Sequence, residues 1–525
     1  MTGPGRAGAI TSVLVWAVVM AAVVWLSVHL SDGRLIYSID DPYIHLALAE
    51  TILDGGWGIN PGEAASPSSS VLYAPLLSIF VALGLGESAP LAIGIGAAGL
   101  AVWLTNRRLW SETEGGSLFR LAATPLVILC LGAWSLPMMG MEHALHVLTV
   151  VAVLGGLVAA AETGRLPLGA LIALVAMPLL RFEGVALAGT ALVVLTVLGL
   201  WRPAVVAGLA IFAALLAYAL VMRAHGLPVL PTPVTLKSDI AASVGDAGGL
   251  SGFVRGMVEQ LKAALDDRRG TLLALGLCAV VGGALRTWRR GGPWRTPEMA
   301  MGTAAAAALA AHLLAGAYGW FGRYEVYAVA AALYALIYLY RRDLDAMMRH
   351  RRYAQQLALI GVLAVLAFPY ARILAFTPTA ARNVYEQQHQ MHRLATEFLR
   401  APVAVNDLGW VAYRNDHYVL DLWGLGSEEV RQLKAEGRFD AAAIDRLASE
   451  KSVAYAMLYE EWFEGLIPPH WCVVAVLGTD KVSAAHPTVE IYAVTKASEE
   501  PLRAALAALR PTLPARVRLE ERACG

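Results

Sequence analysis

The sequence is short of charge. Only 16% of its residues are Asp, Glu, Lys or Arg, 57% are hydrophobic, and the mean hydropathy is +0.56. A soluble globule carries about a quarter of its residues charged, so that class is excluded, and 525 residues of this character are too many for one membrane span. Cysteine is scarce as well, with four in the chain and no Cys-x-x-Cys pair. Neither a glycine-rich phosphate loop ending in lysine nor a His-Glu-x-x-His helix occurs, which argues against a soluble nucleotide sugar as substrate and against a zinc-hydrolase helix. The first apolar run, residues 9–29, follows a short head with Arg6 and is not followed by a small-residue cleavage site, so it reads as an anchor and not a removed signal peptide.

What the chain does have is a succession of apolar runs. After 9–29 they cover roughly 88–105, 119–137, 143–161, 166–180, 184–200, 204–222, 270–285, 299–317, 324–340 and 353–375, each near the ~20 residues that cross hydrocarbon. A further run, 71–86, is short, carries Pro75 and starts in Ser66-Pro67-Ser68-Ser69-Ser70. If it crossed, Arg107-Arg108, Arg286 to Arg295 and Arg341 to Arg352 would face outward; if it does not, all of them face the cytoplasm. The preference of basic residues for the cytoplasmic side selects a juxtamembrane or re-entrant helix there. The fold class is then a polytopic α-helical membrane protein of about eleven transmembrane helices, with juxtamembrane helices in the first external loop, 31–87, and a multi-pass placement in the inner (plasma) membrane.

Beyond residue 375 the pattern changes to short β-rich runs, 402–406, 418–420, 454–458, 472–476 and 489–494, between helical stretches at 382–400, 427–436, 441–450 and 499–509. About 150 residues can close a core of their own, so 1–375 reads as the transmembrane domain and 376–525 as an extracytoplasmic α/β domain. Cys130 and Cys278 lie in apolar runs and read as packing residues. Cys472 and Cys524 share the external domain, but the place of Cys524 at a fraying terminus argues against a bridge.

The same charge parity gathers Asp40, Asp41, Glu142, His143, Arg181, Glu183, Lys237, Arg323 and Glu325 on the external side, next to span ends. Charges there need water, a partner or a function. Asp41-Pro42 matches an N-cap followed by proline at the first helical position, with Gly55-Gly56 as the stop, so a surface helix over 42–54 is expected. That gives Asp41 a structural role and leaves Asp40 as the better general base. His45 stands one turn from Asp41 and either orients a carboxylate, touches substrate or sits among headgroups. Glu142, His143 and His146 open a span without completing a metal motif. Arg181-Phe182-Glu183-Gly184 makes a tight turn in which an internal ion pair is the plain reading. Lys237, on the Leu230-Pro231 loop, and Arg323-Tyr324 either anchor at the interface or, facing the acids, suit a lipid-borne phosphate.

The order of Asp40-Asp41-Pro42-Tyr43, Ser66-Pro67-Ser68-Ser69, Met141-Glu142-His143, Arg181-Phe182-Glu183-Gly184, Leu230-Pro231 through Lys237, and Arg323-Tyr324 resembles the C-type integral-membrane glycosyltransferase superfamily, GT-C. The stretch from Val403 to Leu425 is similar to the soluble domain of its bacterial members, so the resemblance covers nearly the whole chain. It implies a hexosyl or pentosyl transferase that moves a sugar from a polyprenyl-phosphate donor to a glycan, lipid or protein hydroxyl, with inversion. Asp40 and Asp41 would be catalytic, and His45, Glu142, His143, Arg181, Glu183, Lys237, Arg323 and Tyr324 would bind substrate. The resemblance leaves open a metal-free route or a divalent cation, magnesium or manganese, at Asp41 and Glu142. Nucleic acid is not among the expected partners. The rival reading is a lipid-linked sugar or lipid transporter without transferase activity, but neither an internal repeat nor a midplane chain of charges is evident.

Overall fold

A computed structural model describes residues 4–110, 117–233, 249–291 and 293–524. The chain opens with α1 (Pro4–Leu30) and continues through two helices of the first loop, α2 (Asp41–Leu53) and α3 (Tyr73–Ala82). Then come α4 (Ala89–Trp110), α5 (Ser117–Cys130), the one-turn α6 (Leu136–Met139), α7 (His143–Thr163), α8 (Leu168–Leu180), α9 (Gly184–Val197) and α10 (Trp201–Ala224). The membrane half closes with α11 (Gly249–Asp266), α12 (Arg268–Arg289), α13 (Pro297–Ala315), α14 (Val326–Leu339), α15 (Arg341–Arg349) and α16 (Tyr353–Glu386).

Among the described residues, α1, α4, α7, α10, α12, α13 and α16 are long and apolar enough to cross a membrane, while α5, α8, α9 and α14 are shorter apolar helices. Together they coincide with the apolar runs read from the sequence. α8 and α9 have 13 and 14 residues, which at 1.5 Å per residue advance about 20 Å, less than the ~30 Å hydrocarbon thickness. Their connecting turn, Arg181-Phe182-Glu183, therefore stops short of a full crossing and is enclosed by its neighbours. α3 has ten residues, about 15 Å of rise, too little for a span. α11 was not expected, because Arg255, Glu259 and Lys262 break its apolar run; it packs on α12 and α13.

The basic clusters collect at one end of the bundle. There Arg286 pairs with Asp343, and Arg108 and Arg341 lie 5.6 and 4.1 Å from the centroid of the Tyr338 ring. Asp41, Glu142, Arg181 and Arg323 belong to the opposite end, where α2 starts, α7 and α14 begin and α8 stops.

The last membrane helix, α16, runs through residue 375 without a break and leads into α17 (Gln388–Arg393) and a π-helical turn, Leu394–Phe398. The α/β part follows as β1 (Val403–Val405), α18 (Gly409–Ala412), β2 (Val419–Asp421), α19 (Glu428–Ala435), α20 (Ala441–Glu450), β3 (Tyr455–Leu458), β4 (Cys472–Gly478), β5 (Thr488–Ala493), α21 (Lys496–Leu509) and β6 (Arg518–Glu521). The sheet order is β2-β1-β3-β5-β4-β6, with β2, β1 and β3 parallel and the rest antiparallel. The parallel strands are buried throughout, because both faces are covered. Ala404, Leu420, Ala456 and Leu458 pack under Val430, Leu433, Ile444 and Leu447 of α19 and α20. The alternate residues, Val403, Val405, Val419, Tyr455 and Met457, face Val384, Met391, Leu502 and Leu506, and also Tyr43, Leu46, Tyr73 and Leu77 of the first loop. The external domain and the first loop thus share one core.

Two details depart from the pattern expected of the sequence. β6 carries three charged residues in four and gives no apolar signal, yet it pairs with β4 from Gly478↔Arg518 to Ala475↔Glu521. That pairing brings the C-terminus alongside β4, and Cys472 and Cys524 form a disulfide, contrary to the expectation of a fraying end. Cys130 is buried and Cys278 is exposed.

Candidate active site

The acidic pair of the first loop is divided between two tasks. Asp40, not Asp41, stands at the N-cap position of α2, and its side chain makes no cap hydrogen bond; Asp41 is the first helical residue, with Pro42 behind it. The expected capping role of Asp41 is therefore corrected. Asp40 is buried, and its carboxylate turns to the external domain, where Oδ2 accepts from the Gly409 N–H at 2.6 Å and Oδ1 from the Trp410 N–H at 2.9 Å. Both oxygens are engaged by the first turn of α18. Gly409 permits this approach, since a Cβ there would overlap the Asp40 carbonyl and carboxylate. Asp41 turns the other way, toward the membrane helices, and keeps 29% side-chain exposure with Oδ1 3.0 Å from Arg323 Nη2.

Arg323 closes the loop before α14 and is 2% exposed, and its Nε and Nη1 have no hydrogen-bond partner among the described residues. A buried guanidinium with two unmatched donors is expensive unless something else accepts from it. Its neighbour Tyr324 lies between two cations: the Arg323 guanidinium is 5.2 Å and that of Arg181 5.8 Å from the ring centroid. Arg181 is itself saturated with carboxylate. Nη2 and Nε donate to Glu183 Oε1 and Oε2 at 2.5 and 3.1 Å, and Nη1 donates to Glu142 Oε1 at 2.9 Å. The ion pair expected within the turn is present, and it extends to the start of α7. That fork is the geometry in which a buried charge pair is worth keeping.

The histidines surround these charges. His45 Nε2 lies 3.8 Å from Glu142 Oε2, while its Nδ1 is 3.1 Å from Ser68 Oγ. Ser69 Oγ donates to Glu142 Oε1 at 3.5 Å. His143, the first residue of α7, is buried with no hydrogen-bond partner on either ring nitrogen among the described residues, and its ring is 6.5 Å from that of Tyr324. His146 stacks on Tyr327 at 4.7 Å, and Tyr327 OH is 3.2 Å from His312 Nδ1. His312 and Tyr327 were invisible in the sequence because each sits in an unbroken apolar run, where a lone polar residue reads as packing.

The structure thus brings together Asp41, His45, Glu142, His143, Arg181, Glu183, Arg323 and Tyr324, and sets Asp40 beside them at the domain junction. Lys237 lies outside the described residues. As a divalent-cation site the carboxylates fit poorly. Asp41 faces Arg323 and Glu142 faces Arg181, and among the described residues no group of three His, Cys, Asp or Glu side chains is disposed to hold a metal. Asp407, which lies inside the Val403 to Leu425 stretch without a signal of its own, proves to be part of the arrangement. Its Oδ2 accepts from Gln388 Nε2 and from Tyr459 OH, both at 2.7 Å.

A sequence family described as a domain of unknown function (DUF8728) matches residues 381–492. No curated protein matches the chain in sequence. Among solved structures, ArnT from Cupriavidus metallidurans in the apo state superposes with a TM-score of 0.51 at 14% identity, over 93% of this chain and 98% of that one. The Archaeoglobus fulgidus oligosaccharyltransferase in its apo form gives 0.45 at 14% identity, over 96% of this chain and 76% of that one. The likeness to ArnT shows the fold: a helical membrane body with a small sheet domain.

Proposed function

We propose that this chain is an integral-membrane glycosyltransferase that moves a sugar from a polyprenyl-phosphate donor to an acceptor hydroxyl, with its site on the extracytoplasmic side. The observation that carries the reading is the pairing of a partly open carboxylate, Asp41, with a buried guanidinium that keeps two donors unmatched, Arg323. A carboxylate at the mouth of a site takes a proton from an attacking hydroxyl, and a guanidinium with spare donors holds the phosphate that departs. Asp40 was the expected base, but with both its oxygens committed to backbone N–H groups the base is better assigned to Asp41.

In this mechanism the acceptor hydroxyl loses its proton to Asp41 as its oxygen attacks the anomeric carbon. The bond to the phosphate oxygen breaks on the opposite face, which inverts the anomeric centre, and the polyprenyl phosphate leaves as an anion. Arg323 stabilises that anion, and the N-terminus of α7, with the unpartnered His143 at its first position, adds donors from the other side. Arg181, already bound to Glu142 and Glu183, keeps Tyr324 and the α7 terminus in place. The polyprenyl tail stays in lipid while the sugar reaches the external cavity, and the acceptor is a glycan, lipid or protein of the cell envelope.

The test is transfer by purified protein in lipid nanodiscs, screened with polyprenyl-phosphate pentoses and hexoses against membrane extract. Asp41→Asn is expected to lower kcat by about 10²–10⁴, the usual worth of a positioned base, and, because it takes a carboxylate from the buried Arg323, also to lower the thermal midpoint, so kcat is compared on folded protein. Near wild-type turnover in Asp41→Asn would remove it from the chemistry, and failure of every lipid-linked sugar to react would remove the donor class.

A further inference from the structure

We propose that Trp423 and Trp462 are a stacking platform for the acceptor, and that the acceptor is a neutral glycan chain. The assignment rests on the glycosyltransferase reading above, which it extends by naming the acceptor class, and its first measurement needs neither donor nor turnover.

The two rings stand where an open α/β sheet takes its ligands. From β1 the chain passes to β2 on one side and then to β3 on the other, so the strand order reverses at β1. The first connection carries α18, whose Trp410 and Val411 pack in the cluster on one face of the sheet, while α19 and α20 cover the other face. Ligands of such sheets bind outside the carboxyl ends of the strands, at the reversal. Here those ends supply Asn406 and Asp407 after β1, Trp423 after β2, and Tyr459 to Trp462 after β3. The same edge meets the first loop: Gly409 and Trp410 bind Asp40, and a Cβ on Gly426 would strike Ile59. A run of contacts leads from the rings toward Asp40, the neighbour of Asp41. Trp423 meets Trp462 with centroids 4.7 Å apart, Trp462 meets Tyr459 at 5.3 Å, and Tyr459 OH donates to Asp407 Oδ2 at 2.7 Å.

Both rings are exposed and yet held in place. Trp423 and Trp462 keep 38% and 37% of their surface open. The buried Asp421 accepts from the Trp423 N–H at 2.8 Å and from the Gly426 N–H at 2.7 Å, which closes the loop after β2 around Gly424, at φ 93°. Lys434 Nζ donates to the Trp423 carbonyl at 3.0 Å and lies 4.7 Å from the centroid of its ring. Trp462 ends the one-turn 3₁₀ helix Glu460–Trp462, and the Tyr459 N–H just before it donates to Asn406 Oδ1 at 2.9 Å. Large rings fixed in this way lose little conformational freedom when a ligand settles on them.

The surroundings select the ligand. Glu460, Glu461 and Glu464 are exposed on either side of Trp462. The cations beside the rings are engaged: Lys434 by the Trp423 carbonyl, Arg431 Nε by Glu428 at 2.7 Å, and His486 Nε2 by Glu461 at 3.1 Å. Acids at the rim repel phosphates and anionic headgroups, whereas they accept hydrogen bonds from hydroxyls. Two rings bounded by charge fall well short of the ~800 Å² that each partner buries in a stable protein interface. A chain of neutral sugars, with C–H faces to lie on indole and hydroxyls around the ring edge, matches both the rings and their rim.

The test is retention of the full-length protein, in phosphatidylcholine nanodiscs, on an array of immobilised neutral hexose and pentose oligosaccharides. Wild type is expected to be held by at least one of them, equally at about 50 mM and about 500 mM sodium chloride, because stacking on a neutral ring is not screened. Trp423→Ala and Trp462→Ala should each weaken that retention by about tenfold or more, and Trp423→Phe and Trp462→Phe should keep a larger part of it, a rescue that general loss of fold would not give. No retention of wild type on any sugar, equal retention by wild type and both alanine variants, or retention lost at the higher salt would overturn the proposal. So would capture by phosphatidylglycerol vesicles that depends on the same two rings. In the transfer assay both alanine variants should raise the KM for the acceptor and leave that for the lipid-linked donor unchanged. Retention on sugars without transfer from any lipid-linked donor would count against the glycosyltransferase reading and leave the platform standing; transfer with an unaltered acceptor KM in both alanine variants would do the reverse.

Discussion

Two arginines on one side of the molecule invite the same label, and their surroundings separate them. Arg181 donates to two glutamates through three nitrogens and has its charge spent. Arg323 meets Asp41 through Nη2 and retains unmatched donors. Removing one partner of a buried ionic cluster leaves uncompensated charge behind and costs about 3–5 kcal/mol, so Arg181→Gln is expected to lower the thermal midpoint steeply or abolish folding. Arg323→Ala removes one contact of the partly exposed Asp41 and no member of the Arg181 cluster, so the fold should survive while the KM for the lipid-linked donor rises by about tenfold or more. Arg323→Lys, which keeps the charge but not the planar fork, should recover part of that loss. Thermal unfolding and donor titration on the three variants decide it; an Arg181→Gln protein as stable as wild type, or an Arg323→Ala protein with unchanged donor KM, would reverse the assignment of roles.

At the scale of elements, α3 carries the topology. A helix of ten residues lodged against α2 and α4 leaves Arg107 and Arg108 on the side opposite the acids, together with Arg286 and Arg341. A cysteine placed at position 107 in a background without the native thiols should therefore resist a membrane-impermeant maleimide in intact cells and react once the cytoplasmic face is opened; labelling in intact cells would mean that α3 crosses. The apolar runs were legible in the sequence because a hydrophobic stretch near span length, repeated so many times in one chain, has no place in a water-soluble core. So were the five strands whose apolar residues are buried in the clusters on the two faces of the sheet. β6 was not, since an edge strand protected by charge lacks the pattern that reveals its neighbours. The acidic pair was half legible. Asp-Asp-Pro announced a helix start, but which acid turned inward depended on Gly409, a residue 369 positions away whose partner no local pattern encodes.

For the molecule as a whole, the boundary near residue 375 marks where apolar spans end and not where a structural unit ends. Ile36, Tyr37, Tyr43, Leu46, Tyr73 and Leu77 of the first loop are buried in the same cluster as Val403, Val405, Tyr455, Val489 and Leu502 of the external domain. Asn60 binds both backbone groups of Val419, which begins β2, at 3.0 and 2.9 Å. Segments that share a core open together, so α2 and β1 through α18 should exchange their amide hydrogens as one cooperative unit under native conditions, with the same dependence on added denaturant. The middle of α7, packed instead within the membrane core, belongs to a different unit. Native-state exchange across a denaturant series reads this directly. If the α2 amides followed α7, or frayed alone with a shallower dependence than the sheet, the sheet domain would be an independent body resting on the membrane half, and the common cluster of first-loop and sheet residues would not act as one core.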